Sequence, residues 1–138
     1  MRFDHIGVLT SDLDAACAFA RDVLGLGDPV SDFRAEEYGL SGVFFGLGAG
    51  RLEMLRFDEP GDRLPAGVTT RIDHVAVEVD DLDAEAERLG ARGVQFQGPL
   101  DPAPVTAPIE LRGRRHLWTK PETSGGFMLQ LIEAAPTG

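Results

Sequence analysis

Two histidines, a glutamate and a glutamine are the side chains of this 138-residue chain that together suggest a reactive centre. His5 lies in RFDHIGVLTSDLDAA and His74 in RIDHVAVEVDDLDAE; with an offset of 74 − 5 = 69, residues 2–16 and 71–85 agree at eight of fifteen positions. Such self-similarity marks an internal duplication. Glu53 in RLEML and Gln130 in MLQLI each interrupt an apolar run, and a polar side chain buried there without a partner is costly. Singly, each residue has a plainer use: a strand histidine satisfied within a core, a glutamate or glutamine on a solvent-facing edge. Recurring at corresponding places in two copies, they form a set of nitrogen and oxygen donors of intermediate hardness. That set suits a divalent ion with positions left open for substrate.

The secondary structure that carries these residues can be read from the same repeat. FDHIGVLT and IDHVAVEV are runs of β-formers and predict a strand at the head of each copy. An N-cap signal comes after each, Ser11 or Asp80, and opens a helix. In the first helix Leu13, Ala16, Cys17, Ala20 and Leu24 recur at three-to-four spacing, and Gly25 stops it; the second runs to Gly90 or Gly93. Three strands succeed the helix in the first half, near Pro29–Tyr38, Gly42–Gly48 and Arg51–Phe57, and three in the second, GVQFQGPL, RRHLWTK and FMLQLIE. Both halves read β-α-β-β-β, an α+β chain of modules 1–58 and 70–135 joined by a Gly- and Pro-rich linker, 59–69. Neither half buries a full core alone, so the modules are expected to pack together, or against a second chain, around a cleft.

Composition narrows the function classes. Asp and Glu number 23 against 13 Lys and Arg, a net charge of −10, and no basic stripe is interleaved with aromatics, which argues against nucleic acid. No apolar run is long enough for a membrane span and no signal-peptide core opens the chain, so a cytoplasmic protein is expected. A lone cysteine, Cys17, allows neither an intramolecular disulfide nor a thiolate zinc site. The basic cluster Arg112, Arg114 and Arg115 reads as a solvated hairpin or as a cradle for a phosphate-bearing ligand. Trp118, on a penultimate strand, is the aromatic residue best placed to wall the cleft.

With these residues together, the chain resembles the vicinal oxygen chelate superfamily, which includes glyoxalases, extradiol dioxygenases, bleomycin-type resistance proteins and methylmalonyl-CoA epimerases and is built from paired βαβββ modules. It is most similar to the epimerases, through EYGL (Glu37–Leu40), GAGRLEML and KPETSGGFMLQLIE. The resemblance implies His5, Glu53, His74 and Gln130 as ligands of one divalent ion, whether cobalt, nickel, manganese, zinc or iron. It implies Glu37 as one acid–base residue, with Glu53 as a displaceable ligand for the second role. Gln130 stands where the family has a glutamate, and an amide cannot take a proton from carbon.

The implied reaction is epimerisation of a small carbonyl compound or acyl-CoA through an enolate, in a homodimer, with Arg114, Arg115 and Trp118 contacting substrate. Glu37 also reads as an exposed strand-end charge. Other chemistries remain open on the same scaffold: a glyoxalase-type isomerase, an iron-dependent dioxygenase, or a metal-free small-molecule-binding resistance protein. Whether the four ligands meet within one chain or across a dimer interface is likewise open.

Overall fold

The structure, a computed structural model, describes residues 1–136. It divides into two compact units: His5–Asp73, and Met1–Asp4 together with the chain from His74 onward. The first unit holds β1 (Arg2–Thr10) from His5 on, with β2 (Ser31–Ala35), β3 (Leu40–Leu47) and β4 (Gly50–Phe57), ordered β2-β3-β4-β1. β4 runs antiparallel to β3 and parallel to β1, as a βαβββ module requires. In the second unit β5 (Thr70–Val79) pairs from His74 on in parallel with β10 (Met128–Glu133), which runs antiparallel to β9 (Arg114–Thr119).

The helices start one residue later than the sequence suggests. Asp12 and Asp81 are the N-caps of α1 (Leu13–Ala18) and α2 (Leu82–Gly90), each side chain accepting from the backbone N–H three residues on. Ser11 instead donates its N–H to Thr69 O, and Asp80 accepts from Arg2 at 2.8 Å.

Beyond Ala18 the first helix widens into a π turn, Phe19–Val23, with Leu24 N–H bonded to Phe19 O. The extra residue in the turn rotates the next positions off the buried stripe. Leu24, expected on the apolar face, is therefore 51% exposed. Leu26 takes its place beside Leu13, Ala16, Cys17 and Ala20, against Phe45, Leu52 and Met54.

The second half departs from three regular strands. GVQFQGPL contributes only β6 (Phe96–Gln97), succeeded by β7 (Pro104–Val105) and β8 (Ile109–Leu111), so that β6 and β8 share one edge of β9. Gly98 and the prolines at 99, 102, 104 and 108 explain the break, because proline gives a ladder no N–H. β8 and β9 are joined by a tight turn in which Arg112 and Gly113 both take positive φ, 55° and 75°, a geometry matched to hairpin twist. Val79, Leu82, Phe96, Leu117 and Leu131 form this unit's core under α2.

Candidate metal centre

In the first unit the ladder register sorts the side chains. His5 pairs with Arg51, Gly7 with Glu53, and Glu53 with Phe44. Residues opposed across a ladder share a face, as do alternate residues along a strand. His5, Glu53, Arg51 and Phe44 therefore lie opposite the face where Phe45, Leu52 and Met54 pack under the helix. Both candidate ligands are buried, and His5 Nε2 stands 3.5 Å from Glu53 Oε1. Phe44 sets this surface: the His5 ring meets it edge-on at 5.2 Å, and the Arg51 guanidinium lies 4.1 Å from its centroid. Phe33 leans on the same ring, over Gly42.

The second unit repeats the arrangement. Met128 pairs with His74, Ala76 with Gln130, and Gln130 with Trp118. His74, Gln130 and Trp118 thus share one face, with Leu117 and Leu131 on the other, under α2. Gly7 and Ala76, which the offset of 69 superposes (7 + 69 = 76), are the small residues opposite Glu53 and Gln130. A larger side chain there would compete for the space of the carboxylate or amide.

Gln130 is held by a contact that the repeat does not foretell. Its Nε2 lies 3.0 Å from His116 Nδ1, while His116 Nε2 lies 3.1 Å from Leu111 O and the imidazole stacks on Trp118 at 5.5 Å. The signal for His116 was the strand period: it stands two residues before Trp118, on the same face.

Of the remaining candidates, Trp118 shares the Gln130 face. Glu37 is exposed in a 3-10 turn, Glu36–Tyr38, where a continuing strand was expected. The turn comes after the Ala35–Leu40–Phe57 rung, and the Glu53 rung is 57 − 53 = 4 residues away, about 13 Å along a strand. Burial, and next the nearby Glu37 carboxylate, push the Tyr38 hydroxyl up from its usual range. Arg114 binds Glu78 and the Glu133 carbonyl, and Arg115 binds Glu133 and Asp83 at 2.7–3.1 Å. Both guanidiniums are thus engaged by groups of the chain itself. Trp118 is almost wholly buried.

A profile described as the Glyoxalase/Bleomycin resistance protein/Dioxygenase superfamily matches residues 2–131. The chain belongs to this superfamily. Within the superfamily it is similar to the mitochondrial methylmalonyl-CoA epimerase of Mus musculus, 30% identical over 138 residues, an alignment covering 96% of this chain and 73% of that one. The crystal structure of methylmalonyl-CoA epimerase from Mycobacterium tuberculosis superposes with a TM-score of 0.79 at 26% identity, over 98% of this chain and 89% of that one. A methylmalonyl-CoA epimerase in complex with methylmalonyl-CoA and NH4+ does so with a TM-score of 0.79 at 26% identity, over 97% and 94%. The superfamily's duplicated βαβββ plan accounts for the two helix-free faces bearing His5 with Glu53 and His74 with Gln130.

Proposed function

We propose that the protein is a metal-dependent epimerase of the methylmalonyl-CoA type, inverting the α-carbon of an acyl-CoA by removing its proton and returning one from the opposite side. The observation that carries this reading is the buried His5–Glu53 pair on the helix-free face of one unit, with His74 and Gln130 on the corresponding face of the other. The donor chemistry fits a divalent ion: an imidazole nitrogen and a carboxylate oxygen already face each other, and a buried carboxylate is stabilised by a bound cation. His5, Glu53, His74 and Gln130 would hold one ion, of cobalt, nickel, manganese, zinc or iron. When bound, it would supply a Lewis acid that stabilises negative charge on the substrate's carbonyl oxygen.

The chain's own groups handle the proton. In this reading a Glu37 carboxylate oxygen takes it from the α-carbon and keeps it, while Glu53, as a displaceable ligand carrying its own proton, would deliver that different proton to the other face, because the Gln130 amide cannot. From the edge of its ladder Glu37 has to reach back toward the Glu53 rung, so the acyl group would lie between them. Likeness to epimerases, one of them in complex with an acyl-CoA, favours this chemistry over glyoxalase, dioxygenase or metal-free binding readings. With it go a single domain of modules 1–58 and 70–135 about linker 59–69, a homodimer, and a cytoplasmic location. No helix among the described residues is long and apolar enough to cross a membrane.

The test is proton exchange at C2 of methylmalonyl-CoA in deuterium oxide, monitored by proton NMR. The C2 signal is expected to disappear when one of the five ions is added, and to persist after chelation. Persistence of the signal with all five ions contradicts the proposal.

A further inference from the structure

We propose that His116 is a positioning residue that turns the carbonyl oxygen of Gln130 toward the metal, an inference that rests on the ligand set proposed above. Two hydrogen bonds of the imidazole set the direction. Leu111 O only accepts, so His116 Nε2, at 3.1 Å, carries the ring proton. In a neutral imidazole Nδ1 is then the acceptor, and the Gln130 group 3.0 Å from it is the amide nitrogen, donating. Fixing the nitrogen end fixes the other end: Oε1 points away from His116.

The two ends of a glutamine amide are alike in shape but opposite in hydrogen-bonding role, and a turned amide would present an NH2 group that cannot ligate a cation. His116 is itself held by the backbone bond, by its stack on Trp118, and by burial. The strand register places it to do this: Gln130 is opposite Trp118 and His116 is two residues further along β9, on the same face. Groups that orient a ligand are worth about 10- to 100-fold in metal affinity.

The experiment is cobalt titration of the full chain, read by the visible absorption of bound cobalt, for wild type, His116→Ala, His116→Asn, Gln130→Ala and the double variant His116→Ala/Gln130→Ala. Asparagine offers an acceptor near the place of Nδ1. His116→Ala is expected to weaken cobalt binding about tenfold and change its absorption. His116→Asn should recover most of the affinity, and His116→Ala should add less than about twofold once Gln130 is gone, because the two act as a unit. Wild-type affinity in His116→Ala, or its full penalty in the Gln130→Ala background, overturns the positioning role while leaving the metal site standing. Failure of wild type to bind cobalt overturns both, and the asparagine variant separates lost orientation from lost folding.

Discussion

Gln130 is where a single atom type decides what the site can do. As an amide it can offer a ligand oxygen but no base, so the proposed acid–base work falls on Glu37 and Glu53. The two are separable by experiment. Glu37→Gln should lower kcat about 100-fold or more, as loss of a general base does, with metal content unchanged. Glu53→Gln should lower both, since Glu53 is buried beside His5; equal metal loss in the two variants would contradict the assignment. Arg115, bound to Glu133 and Asp83, is expected to serve the fold more than the ligand. Arg115→Gln should change the KM for methylmalonyl-CoA by less than about twofold, whereas removal of a cation that binds phosphate costs more.

Among the strands and helices, each unit keeps one sheet face for a helix and the other for polar groups, and both were legible in the sequence to different degrees. The repeat around His5 and His74 was readable because a strand and a capped helix share fixed offsets, and Glu53 and Gln130 stood out as polar residues in apolar strands. The π turn that exposes Leu24 was not readable, since a 3.6-residue period cannot report one inserted residue. Nor was the Gln130–His116 bond, which depends on cross-strand register rather than on either strand alone. Glu37 matched a motif, yet its position in an exposed turn depends on where β2 stops. Packing on the polar face makes its own prediction at Gly42, where a Cβ would meet the Phe33 ring at 2.2 Å. Gly42→Ala should destabilise the protein by about 1–3 kcal/mol in urea unfolding. Gly46→Ala, with open space around it, should cost nothing measurable.

Across the whole molecule, an acidic chain is tied together at its surface by arginine–carboxylate pairs. Arg114, and next Arg2, hold the Glu78 carboxyl below its ordinary 4.5, and Arg34 does the same for Asp58, ordinarily 3.8. A carboxylate depressed in the folded state binds fewer protons there than when unfolded, so its stabilisation is present above the ordinary value and lost as pH falls below it. Thermal melts should therefore show little contribution from these pairs to any change between pH 7 and about 5.5, and a decline below about 4.5. Arg34→Ala should shrink that acid-side decline; an unchanged profile would assign the acid sensitivity to other groups.

The proposed ion draws its ligands from both halves of the duplication, and metal content reports on that sharing without an assay of activity. Elemental analysis of wild type, His5→Ala and His74→Ala, after exposure to the five candidate ions and removal of excess, should give about one ion per chain in wild type and a large loss in each variant. Full metal content in either variant, or none in wild type, would contradict a centre shared between the two halves.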